Sequence, residues 1–206
     1  DTAVTVSTWF QTTDEQFDTD TLTDTETYGS DAVRISTIIR EAFAAYAEGT
    51  TQVPRFKIWN GTAWGTEGSG VTTGNVIRFV EAAPAPTRDE YAVATINASA
   101  DADVQIYNGT TDTFGNIAEI DDTISDILSH GIDIAYESDS GDLVAVSCDG
   151  TEAVYRVWNG TSWSATSSIS LVITGNCEWI RLASDPSTDE IVMVVRNDIT
   201  GGVDYQ

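Results

Sequence analysis

Apolar and polar residues alternate in three short segments that recur about fifty residues apart. These segments are residues 55–59, 103–107 and 155–158. Alternation with a period of two is typical of a β-strand that is buried on one face. Each segment closes on an aromatic side chain, which is Trp59, Tyr107 or Trp158.

An Asn-Gly pair and a second aromatic residue follow each alternating segment. Asn-Gly tolerates positive φ at both positions, as a type I′ turn requires, so the pattern predicts a tight hairpin. The second aromatic residue then returns beside the first, and such cross-strand pairs stabilise a sheet by about 0.2–1 kcal/mol. The pairs begin at Asn60, Asn108 and Asn159, and the second aromatic residues are Trp64, Phe114 and Trp163.

Two further segments precede each alternating one. The nearer is a short, continuous apolar run, typical of a central strand buried on both faces. These runs are residues 43–47, 91–95, 143–147 and 191–195. A turn-rich link connects each run to an earlier strand. The earlier strands are residues 33–35, 77–79, 132–134 and 179–181, and a weaker fourth strand is clearest at residues 168–173.

Four antiparallel strands repeated about every fifty residues are typical of a propeller blade. The sequence therefore predicts an all-β fold of β-propeller-like repeats, with about four blades of four antiparallel strands. Residues 1–30 are an acidic, Thr-rich N-terminal arm, and residues 3–10 have the β-branched content of a strand. The repeat domain spans residues 31–206, with repeats at about 31–75, 76–130, 131–176 and 177–206, the last incomplete.

The repeat resembles that of secreted bacterial and archaeal surface proteins with a WNG(T/S)xW hairpin after an AYE…SGD strand turn. Here the motif residues are 158–163, 135–137 and 140–142. The middle unit departs from the pattern, because Tyr107 and Phe114 replace the tryptophans and the turn is longer. The resemblance implies an extracellular or cell-surface repeat module. It implies no activity, because most such proteins have none assigned.

Acidic side chains dominate the charge, with 33 Asp and Glu against 9 Lys and Arg and a net charge of −24. Phosphate binding needs clustered Lys and Arg, so nucleic acid is excluded as a partner and anionic membrane surfaces are disfavoured. A high-salt environment explains such a surface, because screening weakens self-repulsion; bound divalent cations are the alternative. No apolar run reaches the about 18 residues that a transmembrane helix needs.

Cys148 and Cys177 are the only cysteines. Cys148 ends one predicted strand and Cys177 opens another in the next repeat. In an exported protein such a pair predicts one disulfide between adjacent repeats. The alternative is two separate buried thiols.

Four Asn-X-Ser/Thr sequons are candidate N-glycosylation sites. Three coincide with the predicted hairpin turns, where the turn itself explains the asparagine. The sequon at residue 97 lies outside these turns and is therefore the more diagnostic one. The four asparagines are Asn60, Asn97, Asn108 and Asn159.

No catalytic residue stands out. His130 is the only histidine, so any His-dependent nucleophile would have to use it, but an exposed loop histidine is the simpler interpretation. One His and two Cys cannot supply a spaced zinc site. Paired carboxylates can hydrolyse glycosides, yet 33 acidic residues single out no pair.

Three arginines recur at what look like equivalent strand positions. Sialidase-type propellers hold a substrate carboxylate with an arginine cluster, so convergence of these residues would favour such an enzyme. The simpler interpretation is that they neutralise neighbouring acids. The residues are Arg34, Arg78 and Arg181.

Calcium is the one cofactor with any support, because turn carboxylates offer oxygen ligands, although none matches the usual calcium-loop pattern. The candidates are Asp139, Asp142, Asp185 and Asp189, together with Asp101 and Asp103. Carbohydrate is a second candidate ligand, because aromatic pairs stack on sugar rings; packing between sheets is the alternative. The candidate stacking residues are Trp59, Trp64, Trp158 and Trp163.

These observations predict a non-enzymatic extracellular or cell-surface structural module, a self-assembling subunit of a filament or surface layer. The fourth repeat lacks its aromatic residue and Asn-Gly turn, which leaves a sheet edge for strand pairing. Residues 3–10 would complete that sheet in a neighbouring subunit, making a homo-oligomer, or close their own ring; a third alternative is that the sequence is a fragment of a longer chain. The alternatives are a glycan-binding, lectin-like propeller and a propeller glycoside hydrolase.

Overall fold

A computed structural model describes residues 33–35 and 42–197. Every secondary-structure element in this part of the chain is a β-strand. The first sheet comprises β1 (Val33–Ile35), β2 (Ala42–Tyr46), β3 (Arg55–Trp59) and β4 (Gly68–Ser69). The second comprises β5 (Ile77–Pro84), β6 (Glu90–Asn97), β7 (Ala102–Asn108) and β8 (Thr113–Asp121). The third comprises β9 (Ile132–Tyr136), β10 (Leu143–Asp149), β11 (Glu152–Trp158) and β12 (Ser167–Ser170), and the fourth β13 (Cys177–Ser184) and β14 (Ile191–Asn197).

Strands follow chain order within every sheet, and all pairings are antiparallel. The predicted all-β architecture of four antiparallel sheets is therefore confirmed. Residues 42–197 do not show the four sheets closing into a ring, so the propeller arrangement stays a prediction. No helix within the described ranges has the length and hydropathy to cross a membrane.

Central strands are buried on both faces, as their continuous apolar runs predict. Every residue of β2 and β6 is buried, because each strand has a partner on both sides and its sheet packs against a neighbour. β14 has the same kind of sequence but is only partly covered, and Val192 is 62% exposed. Within residues 42–197, β14 pairs with β13 alone.

Apolar side chains fill the space between each pair of successive sheets. Between the first and second sheets lies an aromatic cluster in which the Phe43 and Tyr91 rings stack with centroids 4.6 Å apart. Between the second and third sheets, small residues such as Ala92 and Ala94 face Ile132. The successive sheets thus share three separate apolar layers.

Cys148 on β10 and Cys177 on β13 form a disulfide between the third and fourth sheets, with their Cα atoms 5.2 Å apart. That distance lies within the about 7 Å that such a bond allows. Both cysteines are buried in the apolar layer that contains Val146 and Ile180.

The second and fourth sheets share one strand register. Ile77 lies opposite Asn97, and Cys177 lies opposite Asn197, one hundred residues later. Both first strands contain a β-bulge directly after these residues, before Phe79 and Trp179 respectively. A residue of β13 or β14 therefore has its structural counterpart one hundred positions earlier.

The Asn-Gly turns are not the predicted two-residue type I′ turns. Trp59 pairs with Trp64 in an isolated bridge, so residues 60–63 form a longer loop, and residues 159–162 do the same. Only the glycine has positive φ, at 93° for Gly61. Asn60 Oδ1 instead accepts hydrogen bonds from the backbone N–H groups of Thr62 and Ala63, both at 2.9 Å. The asparagine is favoured here as an Asx turn.

The middle turn differs again. Asn108 Oδ1 accepts the N–H of Thr110 at 2.9 Å, while Gly109 does not adopt positive φ. A Cβ at Gly109 would collide with the carboxylate of Asp89. This glycine is needed for close approach and not for its backbone conformation.

Removing the disulfide should destabilise the protein substantially. The crosslink closes a loop of 29 residues, which restricts the unfolded chain by about 3–4 kcal/mol. The double variant C148A/C177A should therefore unfold at clearly lower urea concentration than the oxidised protein. Reduced wild type is the matched control and should unfold near the variant. Equal midpoints for oxidised and reduced wild type would contradict this assignment.

Candidate functional site

Charged side chains meet where the first strands of three sheets lie together. β9 lies against both β5 and β13. Glu81 on β5 and Asp133 on β9 are buried, with side chains 6% and 8% exposed. Arg181 on β13 forms ion pairs with both carboxylates, and its Nη1 lies 3.6 Å from Asp133 Oδ1. His130 Nε2 lies 2.7 Å from Glu81 Oε1. These four residues are called the first-strand cluster below.

Both carboxylates of this cluster are committed to partners on other strands. Asp133 Oδ1 accepts the N–H of Ile134 at 2.9 Å, and its Oδ2 accepts the N–H of Leu182 on β13 at 2.6 Å. Glu81 Oε1 contacts both His130 and Arg181. Buried carboxylates are tolerated only with such compensation. The cluster therefore ties the second, third and fourth sheets together.

The exposed position expected for His130 is wrong. Its side chain is 12% exposed and lies edge-on to the Phe79 ring, with centroids 5.7 Å apart. The loop before β9 is held down because the His130 carbonyl accepts the N–H of Ile180 at 3.1 Å. His130 contacts Glu81, which belongs to a different sheet. Such a contact leaves no recognisable pattern in the sequence around His130.

The three arginines are not equivalent. In the shared register Arg181 matches Glu81, since they lie opposite Val194 and Ala94, while Arg78 lies at the β-bulge. Arg78 and Arg181 are 103 positions apart, whereas structural counterparts in these two sheets are one hundred apart. Arg181 neutralises acidic neighbours, which is the simpler of the two predicted roles. The backbone of Arg34 lies in β1, and its side chain is outside the described residues.

A third buried carboxylate, that of Glu90, joins the second and third sheets. Glu90 opens β6, and its side chain is 9% exposed. Its Oε1 accepts hydrogen bonds from Tyr136 Oη at 2.9 Å and Trp158 Nε1 at 3.1 Å. Arg88 Nη2 lies 3.2 Å from the same oxygen. Burial and the Glu90 carboxylate together raise the pKa of Tyr136 well above its ordinary value. Sequence reasoning missed Glu90 entirely.

Arg88 contacts two motif glycines. Its Nη2 donates to the carbonyl of Gly141 at 2.7 Å. A Cβ on Gly160 would lie 3.0 Å from the guanidinium carbon, too close for comfortable packing. Both glycines also have positive φ, at 73° and 86°. The SGD and WNG motifs therefore meet at one side chain supplied by the preceding sheet.

Of the predicted sugar-stacking residues, Trp158 is unsuitable. It is 2% exposed and its indole is held by Glu90. Its pair mate Trp163 is half-buried and donates from Nε1 to the Asn116 carbonyl at 2.7 Å. Trp59 and Trp64 are half-buried, with ring centroids 5.7 Å apart. The pair Trp158 and Trp163 therefore packs between sheets.

The sequon asparagines fall into two groups. Asn60, Asn108 and Asn159 are exposed. Asn97, which the sequence made the most diagnostic, is fully buried, and its Nδ2 donates to Thr73 O at 2.8 Å and Asp101 Oδ2 at 2.9 Å. The amide holds the link before β5 against the end of β6. A glycan on the folded protein at Asn97 is therefore ruled out by burial.

Two of the turn carboxylates that are candidate calcium ligands accept hydrogen bonds from neighbouring turn residues. Asp189 Oδ1 accepts the N–H groups of Asp139 and Ser140, both at 2.9 Å. Asp185 Oδ1 accepts the N–H and hydroxyl of Ser187, which lowers the pKa of Asp185. Across residues 42–197, no group of three His, Cys, Asp or Glu side chains is placed to hold a metal. Asp142 is likewise in no such group.

Asp103 is an acidic residue under electrostatic strain. It lies opposite Glu119 across β7 and β8, and Asp101 is also near. Burial, followed by repulsion from Asp101 and Glu119, raises its pKa from 3.8 to about 6. Like charges directly opposite each other destabilise a sheet.

Comparison with known proteins gives a fold likeness alone. No family model and no curated protein matches the sequence. Among solved structures, the chain is similar to the one described as NanB plus Optactamide, with a TM-score of 0.51 and 10% identity. The match covers 82% of this chain and 27% of that chain, so the protein spans about a quarter of NanB. NanB has a sialidase-like β-propeller, and at this identity the likeness concerns the arrangement of the strands.

The raised pKa of Asp103 predicts that D103N stabilises the folded protein by an amount that depends on pH. Well below pH 4 the wild-type carboxyl is neutral in both the folded and the unfolded state, so D103N changes the stability little. As the pH rises from about 4 to about 6, the unfolded chain ionises first, so ionisation comes to oppose folding. D103N should therefore raise the melting temperature by a few degrees at pH 7 and hardly at pH 4. E48Q, which removes one exposed charge, is the matched control; an equal, pH-independent gain for both variants would contradict the assignment.

Proposed function

We propose that this protein is a non-enzymatic structural module of an extracellular or cell-surface assembly. One observation carries the proposal: the charged and aromatic side chains that resemble a site each bind one sheet to another. The first-strand cluster joins three sheets, and Glu90 joins the second sheet to the third. These residues have a structural task that accounts for their types and positions.

The contacts of the buried carboxylates of Glu81 and Asp133 argue against hydrolysis by a pair of carboxyl groups. Most glycoside hydrolases use two carboxyl groups that face the substrate, about 5–9 Å apart, whereas sialidases use a tyrosine nucleophile. Glu81 and Asp133 are almost wholly buried, and both Asp133 oxygens accept backbone N–H groups. Neither carboxylate therefore faces a surface that a substrate could reach.

The environment of the module is argued from its crosslink and charge. A disulfide persists in oxidising surroundings, which favours an exported protein. A net charge of −24 keeps copies apart in dilute salt and is screened where ionic strength is high. Both features suit a protein that assembles outside the cell. Assembly by strand pairing at β14, with residues 3–10 of a neighbour as donor, is part of this proposal.

A glycoside hydrolase is the second candidate. It is favoured by the likeness to NanB and by the meeting of Glu81, Asp133 and Arg181 on first strands. A lectin function is favoured only by the half-buried pair Trp59 and Trp64. Binding to a glycan array would test this function.

A panel of aryl glycosides, including aryl sialosides, separates the structural module from the enzyme. We expect no turnover by the wild type above the level of E81Q. We also expect E81Q to melt at lower temperature, because His130 and Arg181 lose a charged partner inside the protein. D122N, at an exposed acid, is the control and should leave the melting temperature almost unchanged. Turnover that disappears in a folded E81Q or D133N protein would overturn the proposal.

A further inference from the structure

One long stretch of this acidic chain carries no charge. Residues 157–177 contain no Asp, Glu, Lys, Arg or His, and no other uncharged stretch in the sequence exceeds 12 residues. The stretch contains β12, the outer strand of the third sheet. Residues 164–170 are all exposed. On a protein with a net charge of −24, this segment is where another acidic molecule meets the least repulsion.

The outer edge of β12 presents backbone groups whose direction is fixed by the neighbouring strand. The N–H of Leu171 donates to the carbonyl of Thr151 at 2.8 Å, which continues the register between β11 and β12. Along an antiparallel strand, such hydrogen-bonded pairs alternate with pairs that are not hydrogen-bonded. Ile169 therefore directs its N–H and carbonyl toward β11, whereas Ser168 and Ser170 direct theirs outward. The described residues place no strand on that outward side.

The outer strand of the second sheet is protected against pairing with another strand, and β12 is not. Charged side chains, β-bulges and proline are the usual protection of a sheet edge. β8 contains Glu119 and Asp121, breaks its register with β7 at two points and holds Asn116 at a φ of 48°. β12 keeps an unbroken register with β11 and contains no charged residue and no proline. The two charged side chains of β11, Glu152 and Arg156, have opposite signs.

We propose that the outer edge of β12 pairs with the same edge of a second copy of this chain, so that two third sheets form one continuous sheet across a two-fold axis. The order of residues suits this pairing, because Ser168-Ile169-Ser170 is the same in both directions. An axis at Ile169 places Ser168 of each copy opposite Ser170 of the other, and each such pair exchanges two backbone hydrogen bonds.

A second copy satisfies both the shape and the charge of this edge. The two Ile169 side chains, each 48% exposed in a single copy, lie opposite each other at the axis. The uncharged segment of one copy meets the uncharged segment of the other, so the paired strands add no repulsion of their own. A two-fold contact of this kind is self-complementary and closes at a dimer. The contact is separate from the strand pairing at β14 and does not depend on the function proposed above.

Salt and concentration set the conditions for the dimer. The rest of each copy is strongly acidic, and this repulsion is largely screened at about 1 M salt, where the Debye length is about 3 Å. The paired segment is short, so we expect a weak dimer that forms at about 0.1–1 mM and strengthens with sodium chloride.

Sedimentation equilibrium of the full chain at about 0.05–1 mM, in low salt and in about 1 M sodium chloride, tests the proposal. Wild type should approach twice its monomer mass of 22.1 kDa at high salt. S168P removes an outward N–H and leaves the hydrogen bonds between β12 and β11 in place, so its dissociation constant should be at least about tenfold weaker. S168A keeps the N–H, is the matched control and should associate like wild type. S170P and S170A repeat the comparison should S168P fail to fold.

Amide hydrogen exchange gives a second measurement on the wild type. The N–H groups of Ile169 and Leu171 bond within the chain and should exchange slowly at every concentration. Those of Ser168 and Ser170 should slow only on association, by about twofold when half of the chains are dimeric.

Each result decides the matter. A wild type that stays monomeric at high salt overturns the proposal, as does equal association of S168P and S168A. Exchange at Ser168 and Ser170 that does not change with concentration overturns it as well. Deleting residues 1–10 should leave the dimer intact, and a monomeric deletion variant would assign association to strand pairing at β14 and reject the β12 contact. Turnover in the glycoside panel is a separate readout that tests the proposed function alone.

Discussion

A β-sheet that is apolar on both faces cannot stand alone in water, and this constraint organises the protein. Every residue of β6 is buried, which requires a strand on each side and a sheet above and below. The third sheet covers one face of the second, and the first sheet covers the other. The chain meets the constraint by repeating one four-stranded unit, so that each unit covers the one before it.

Polar residues follow from the same constraint. A carboxylate that lies between two sheets is tolerated only when the neighbouring sheet supplies donors, as it does for Glu81 and Glu90. The donors fix the position of one sheet on the next in a way that apolar contacts alone do not. The Cys148–Cys177 disulfide does the same covalently between the third sheet and the fourth, of which the described residues contain two strands. Features that look like sites are on this account the contacts that order the sheets.

Local pattern was enough to predict the strands, because burial on one or both faces leaves a periodic trace in the sequence. The central runs at residues 91–95 and 143–147 lie in strands β6 and β10. The pairing of Cys148 with Cys177 likewise rests on strand ends that the period locates. Strand-level structure was therefore accessible from spacing alone.

The partners of polar groups were not accessible in this way. Glu90 accepts the indole N–H of Trp158, although the two residues are 68 positions apart in the sequence. His130, in the loop before β9 of the third sheet, contacts Glu81 of the second sheet. The sequon at Asn97 can be recognised in the sequence, but the burial of Asn97 depends on how the link before β5 folds over this residue. Arg78 and Arg181 looked equivalent in the sequence, but the strand register makes Glu81 the counterpart of Arg181. Packing depth and strand register are properties of the assembled sheets.

The central claim, that buried polar residues act between sheets, is tested most directly by a double-mutant cycle on Glu90 and Trp158. E90A removes the acceptor, W158F removes the indole donor while keeping an aromatic ring, and the double variant completes the cycle. Unfolding free energies from urea titration should give a coupling of about 1–3 kcal/mol in favour of the native pair. Effects that add to within about 0.5 kcal/mol would show that the two residues act independently and would contradict the account.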